Sequence, residues 1–247
     1  MSTWGGYAIV SSHPPQIALT SDSAVDIIEL PDSVRPAGLR FVGKQLIEIV
    51  DTISQSLLRY RDGKLEEQMP LDWPVRPIQV VASVDGWFAL AWSGEELELY
   101  RVQQDVWRFL LGLPMEEVEA KRYSISGTGD HVILTYSWAP YYVAVVDAHG
   151  AVVWYRTGDE ALRSWVVDES MARAFPAIRL GEYVVQTVAD TGEDDYRMAM
   201  YDSVGRFVKT SRLPAPIVFL GGGATDLVAF RNLAGYPEFS VYSWRLN

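Results

Sequence analysis

Six glycines, each standing just before a short apolar run, recur at nearly even intervals along the 247 residues. They are Gly6 before Tyr7-Ala8-Ile9-Val10, Gly43 before Lys44-Gln45-Leu46-Ile47, Gly86 before Trp87-Phe88-Ala89-Leu90, Gly129 before Asp130-His131-Val132-Ile133, Gly181 before Glu182-Tyr183-Val184-Val185, and Gly223 before Ala224-Thr225-Asp226-Leu227-Val228. The intervals are 37, 43, 43, 52 and 42 residues. A repeat of this period constrains the fold more than any single motif does. Each unit is too small to bury an apolar face alone and must stack on its neighbours. A second apolar stretch precedes each of the last five glycines, as in Leu39-Arg40-Phe41-Val42 and Ile217-Val218-Phe219-Leu220.

About twenty residues after a landmark glycine comes a tight hairpin. Its copies are Leu58-Arg59-Tyr60-Arg61-Asp62-Gly63-Lys64-Leu65, Val145-Val146-Asp147-Ala148-His149-Gly150-Ala151-Val152 and Tyr201-Asp202-Ser203-Val204-Gly205-Arg206-Phe207. Gly and Asp suit such turns because the chain there takes positive φ, which β-branched residues resist. One unit therefore reads strand, glycine turn, strand, loop, strand, tight turn, strand. Four strands in ~40–45 residues is the period of a β-propeller blade. The expected fold is all-β: a six-bladed β-propeller of four-stranded antiparallel blades in one domain, 1–247. Approximate blades are 1–38, 39–78, 79–122, 123–176, 177–215 and 216–247, and a short helix is expected in the insertion at Asp159 to Ala174. The first and last units are each short of sequence for a fourth strand, so the edges need the N-terminal residues or a partner to cover them. The segment from Gly43 to Gly63 also carries helical periodicity at Leu46, Ile47, Val50, Ile53, Leu57 and Leu58. The strand reading is preferred because the matching stretch from Gly129 to Gly150 has β-branched and aromatic runs broken by Pro140.

The stretch Val145-Val146-Asp147-Ala148-His149-Gly150-Ala151-Val152-Val153-Trp154 resembles the outer hairpin of bacterial β-propellers of the quinoprotein-like and WD40-like superfamily, with Tyr201 to Val208 a weaker copy. The departures are a missing Gly-His…Trp-Asp pair, no recurring Asp cluster for calcium, and no vicinal cysteines. The resemblance implies a fold and leaves the reaction, if any, open.

Composition excludes several function classes. With 49% hydrophobic residues the chain is globular rather than disordered. A net charge of −11 opposes phosphate backbones and anionic lipid, so neither nucleic acid nor membrane is an expected partner. The chain has no cysteine, hence no thiolate ligand or nucleophile, and its three histidines, His13, His131 and His149, are far apart. Met1 to Val10 has no signal-peptide pattern, and a cytoplasmic location is expected. Gly221-Gly222-Gly223-Ala224-Thr225 has no Lys-Ser/Thr after it, so it reads as a turn and not a phosphate cradle. No Gly-x-Ser-x-Gly elbow occurs. Asp190-Thr191-Gly192-Glu193-Asp194-Asp195 crowds four carboxylates, but its spacing is not that of a calcium loop. No cofactor and no catalytic residue are expected, although a metal in a propeller channel stays open.

Aromatics, at 12%, are the remaining lead. Most of the nine tryptophans are expected to pack blade on blade. Trp92, Trp138 with Tyr141, and Trp165 fall in loop contexts, where an exposed ring can anchor a protein or stack on a sugar. They are the candidate binding residues. Three functions follow: a non-catalytic scaffold binding another protein, a lectin-like carbohydrate binder, and an acidic immunity-type inhibitor of a basic toxin. The acidic runs Glu95-Glu96, Glu116-Glu117 and Asp159-Glu160 suit the last.

Overall fold

The computed structural model describes residues 7–12, 14–20, 25–43, 46–103, 106–138, 141–157, 172–214, 216–222, 226–233 and 236–243. They form six antiparallel sheets in chain order. The chain divides into two compact units, Met1–Met115 and Glu116–Asn247, each with three sheets.

In the first unit, β1 (Tyr7–Ser12), β2 (Pro15–Thr20) and β3 (Val25–Glu29) make a three-stranded meander. The second sheet follows with β4 (Pro36–Gly43), β5 (Leu46–Asp51), β6 (Ser56–Arg61) and β7 (Lys64–Pro70). The third has β8 (Pro77–Ala82), β9 (Trp87–Trp92), β10 (Glu96–Gln103) and β11 (Val106–Pro114). The second unit opens on a single helical turn, α1 (Glu117–Ala120). Its sheets are β12 (Tyr123–Thr128), β13 (His131–Tyr136), β14 (Tyr142–Asp147) and β15 (Val152–Thr157); then β16 (Ala172–Ala174), β17 (Ile178–Leu180), β18 (Tyr183–Asp190), β19 (Asp195–Tyr201) and β20 (Phe207–Arg212); then β21 (Ile217–Gly222), β22 (Asp226–Leu233) and β23 (Tyr236–Ser243).

The segment with helical periodicity is the β5–β6 hairpin, turned at Thr52-Ile53-Ser54-Gln55, with Gln55 at φ 50°. Most of the expected helix at Asp159 to Ala174 lies outside the described residues. Its last three residues are β16, which pairs with β18 and so belongs to the fifth sheet. The first strand of that sheet is split because Phe175-Pro176-Ala177 bulges out between β16 and β17; Pro176 has no N–H to give the ladder. Gln186, fully buried, donates its side-chain amide to Phe175 O at 2.9 Å and ties the bulge down.

Burial follows the strand order. The second strands β5, β9 and β13 are buried on both faces; β9 and β13 accordingly read as near-continuous apolar runs, while β5 carries the buried Glu48 and Asp51 among its aliphatic residues. The fourth strands β7 and β15 are mostly exposed. Successive sheets within each unit share a core: Ile17, Ile28, Ile49 and Tyr60 join the first two, and Val50, Leu57, Val80 and Trp87 the next. In the second unit Val143, Trp154, Val188 and Tyr201 do the same, then Val185, Met200, Ile217 and Phe219. Thr135 and Thr187, both in second strands, add hydrogen bonds between sheets: Thr135 Oγ1 accepts from Ala177 N at 3.0 Å, and Thr187 Oγ1 donates to Ile217 O at 2.7 Å.

The repeat is sharper in geometry than in letters. A register shift falls between the third and fourth strands at Arg59/Tyr60, Leu99/Tyr100, Val145/Val146 and Met200/Tyr201. The Asp-x-x-Gly hairpins are superimposable in their bonding. Asp147 Oδ1 accepts from His149 N at 2.8 Å and Ala151 N at 2.9 Å, and Asp202 Oδ1 accepts from Val204 N at 3.0 Å and Arg206 N at 2.7 Å. The glycine at the fourth place takes φ 90° in one and 75° in the other.

Asp51, at the end of β5 and 2% exposed, clamps the chain entering the second sheet. Burial pushes its pKa up, but hydrogen bonds from the Ser54 hydroxyl and the amides of Arg35, Ile53 and Ser54 outweigh that and hold it below the ordinary 3.8. A lowered folded pKa contributes stability that is present above pH ~4 and disappears as pH falls through the folded value. Denaturant melts of the wild type and Asp51→Asn are therefore expected to differ at pH 6 and to converge toward pH 2. A gap that stays constant with pH counts against the assignment.

Candidate functional site

The described loop tryptophan with the largest exposure is Trp138, at 39%. Three chain segments, distant in sequence, fix its place. Ser137 N donates to Arg122 O at 3.1 Å, and Ser137 O accepts from Ala174 N at 3.2 Å. Arg122 follows α1, where its amide donates to Glu119 O at 2.9 Å, and Arg173 sits in β16 opposite Ala189. The strand ladder of β16 thus carries Arg173, and the helical turn carries Arg122, to the same side chain.

Both guanidinium groups lie against the indole, Arg122 Cζ at 4.3 Å and Arg173 Cζ at 3.8 Å from the ring centroid. A cation on an indole face contributes from about 0.5 kcal/mol when exposed to about 2 when desolvated. Arg173 also donates from Nη1 to Ala172 O at 2.6 Å. The result is a partly exposed indole in contact with two positive charges, in a chain whose net charge is −11. Lys121, next in sequence, is ion-paired with Glu117 at 2.9 Å. At the foot of β13, Tyr123 stacks on Tyr136 with centroids 4.7 Å apart; burial, with smaller contributions from Tyr136, Tyr142 and Glu119, pushes its pKa up to about 12.

The other candidates fare differently. Tyr141 is 4% exposed and belongs to the core with Val143, Val145 and Trp154, so its ring faces inward. Trp92 is half-buried at the end of β9, opposite Leu97, beside a turn in which Ser93 and Glu96 bond reciprocally. Trp165 lies outside the described residues. Trp73, Trp87, Trp107 and Trp154 pack between sheets, with Trp73 and Trp107 edge to face at 5.3 Å and Trp154 beside Tyr201 at 6.0 Å. Arg122 and Arg173 were not legible as site residues, since only strand pairing over a long sequence separation joins them.

The carboxylates of the Asp190–Asp195 loop do not converge. Asp190 turns back to accept from Gly192 N at 3.0 Å and Glu193 N at 3.3 Å, while Asp195 pairs with Arg197 at 2.8 Å. Among the described residues no group of three or more His, Asp or Glu side chains is placed to hold a metal ion. Among the same residues no helix is long and apolar enough to cross a membrane.

No protein-family model and no curated protein sequence matches this chain. Solved structures do, and they are β-propellers. Virginiamycin B lyase from Staphylococcus aureus aligns over 98% of this chain and 85% of its own, at 13% identity and a TM-score of 0.54. A chain of the nidogen/laminin complex aligns over 88% and 82%, at 11% identity and 0.57. The WD40 domain of Toxoplasma gondii coronin aligns over 96% and 74%, at 12% and 0.50. With the repeated antiparallel sheets, these make the class plain: the chain is a β-propeller repeat protein. At such identities the likeness extends to the fold alone.

Proposed function

We propose that this chain is a non-catalytic six-bladed propeller scaffold that binds another protein, with the Trp138 loop as its anchor. The observation that carries the reading is Trp138 itself. A large aromatic, 39% exposed and following a residue, Ser137, that backbone bonds tie to two other segments, is the kind of preorganised residue on which protein interfaces concentrate their affinity. The fold admits the role, since one of the matching propellers was solved in the nidogen/laminin complex. It also admits catalysis, as the lyase match shows. What favours a scaffold is that Asp51, Asp147, Asp190 and Asp202 are all spent on backbone amides.

The test is site-specific photocrosslinking in the source cells, with a photoreactive amino acid in place of Trp138 and, as control, of Leu65 on the exposed outer strand β7. A discrete adduct from position 138 that is absent from position 65 is expected. No adduct from position 138 sinks the reading.

Lectin-like binding at this loop is disfavoured because two guanidinium groups already lie against the indole, where a sugar would have to stack. Oligosaccharides at millimolar concentration are expected to leave tryptophan fluorescence unchanged. A saturable change that Trp138→Ala abolishes reverses this.

A further inference from the structure

We infer that the first unit carries a binding site of its own, a cavity between its first two sheets that takes a small organic cation: one aromatic ring system bearing a protonated amine. The site shares no residue with the Trp138 loop and stands independently of the scaffold reading.

The repeat shows where the cavity comes from. The amide after β3, Leu30 N, donates to Pro15 O at 3.0 Å, as Leu71 N after β7 does to Gln55 O at 2.7 Å and Leu213 N after β20 to Tyr196 O at 2.8 Å. β3 is therefore an outermost strand, the counterpart of β7, β15 and β20 in their sheets. Its Ile28 pairs with Ile17 as Trp154 of β15 pairs with Val145. Each of the two lies against a hairpin glycine of the following sheet, Trp154 against Gly205 and Ile28 against Gly63. The indole packs so closely that a methyl on Gly205 would sit 2.5 Å from it, whereas a methyl on Gly63 would be 3.8 Å from Ile28. An isoleucine where the fourth sheet places a tryptophan leaves space, and a cavity of about 350 Å³ opens there.

The lining sets the class of ligand. Buried Leu19, Ile28 and Ile47, with half-buried Phe41, make an apolar wall, and the exposed Asp26 and Asp62 stand at the mouth. Asp26 shares a face of β3 with Ile28 because side chains alternate along a strand, and Asp62 precedes Gly63 at the hairpin tip. Among the described residues neither aspartate forms an ion pair, and Arg61, beside Asp62 in sequence, is held by Glu66 at 3.0 Å. Two carboxylates over an apolar wall, in a chain of net charge −11, are complementary to a body that is apolar at one end and cationic at the other. They repel an anion of the same shape. The volume is at the lower end of the ~300–1,000 Å³ of small-molecule pockets, with room for one or two rings and not for a length of extended chain.

The experiment is a methyl NMR titration of the full chain, labelled at its isoleucines, with two indoles of opposite charge, tryptamine and indole-3-acetate. Tryptamine is expected to shift the Ile28 and Ile47 methyl signals saturably and to bind at least tenfold more tightly than indole-3-acetate. The double variant Asp26→Asn with Asp62→Asn is expected to fold, both residues being exposed, and to lose most of that preference. Ile28→Phe fills the cavity and is expected to abolish binding. Circular dichroism verifies that each variant is folded, and the aspartate variant decides alone if Ile28→Phe is not. Methyl signals that stay in place at millimolar tryptamine overturn the inference. So does equal binding of the two indoles, or a preference that survives both aspartate substitutions. A peptide Ser-Trp-Ser-Lys-Ser that binds more than tenfold more tightly than tryptamine overturns it as well, because the ligand is then a segment of a partner protein.

Discussion

Gly205→Ala is expected to destabilise the protein by about 3 kcal/mol, against about 1 kcal/mol for Gly63→Ala, although the two glycines occupy equivalent hairpins at nearly the same φ, 75° and 76°. Left-handed backbone costs an alanine roughly 1–2 kcal/mol at either site. The difference lies in what a new methyl meets. At Gly63 the nearest atom is Ile28 Cγ1 at 3.8 Å, an ordinary contact. At Gly205 the methyl would sit 2.5–2.8 Å from three atoms of the Trp154 indole. That ring is 7% exposed and wedged beside Tyr201, so it has no room to retreat, and overpacking a core adds about 1–3 kcal/mol. Urea denaturation of both variants gives the comparison. A Trp154→Leu background supplies the control: there the cost of Gly205→Ala is expected to fall to that of Gly63→Ala. Equal costs in the wild-type background mean that the indole yields, and the account of the hairpin is wrong.

That pair of glycines also shows what kind of information the chain carries in plain view. Glycine and aspartate at turns are dictated locally, by φ and by amides needing an acceptor, so the hairpins at Asp147 and Asp202 could be read from their letters. The landmark glycines have mixed causes. Gly129 and Gly181 take positive φ, whereas Gly86 is there because a methyl would strike Val102 O at 2.1 Å. Both causes leave the same letter, and the spacing was legible without knowing which applied. Register shifts and the splitting of β16 from β17 were not legible, because they are set by cross-strand packing. The same holds for the site. Trp138 was visible as a loop aromatic, but its two arginines come from a helical turn and from a strand on the far side of an insertion. Tyr141 shares that loop and turns into the core, since β14 begins at Tyr142, paired with Tyr136. Whether a loop aromatic faces in or out is decided by the register of the strand that follows.

The second large effect is in the second sheet, where one row of residues alternates in charge across all four strands. Arg40 in β4 lies opposite Glu48 in β5, Glu48 opposite Arg59 in β6, and Arg59 opposite Glu67 in β7. Glu48 is 1% exposed and pairs with both arginines, Arg59 Nε at 2.9 Å, while Arg59 Nη1 reaches Glu67 at 2.8 Å. Arg40 also covers the Trp87 ring at 5.2 Å. The asymmetry of exposure decides which deletion hurts more. Glu48→Leu removes the buried charge and leaves arginines whose side chains are 21% and 34% exposed, so both can turn to water. Arg40→Ala leaves a buried carboxylate short of one partner and strips the cover from Trp87. Breaking a fully buried pair costs about 3–5 kcal/mol. With Arg59 still in place and Arg40 partly wet, Arg40→Ala is expected to cost about 2–3 kcal/mol, and Glu48→Leu about 1. The double variant Arg40→Met with Glu48→Leu is then expected to be more stable than Arg40→Ala alone, because no uncompensated charge remains in the sheet and Met still covers the indole. Denaturant melts order the three. If Glu48→Leu proves the most damaging, the ladder contributes net stability through its ion pairs, and desolvation is not what governs this row.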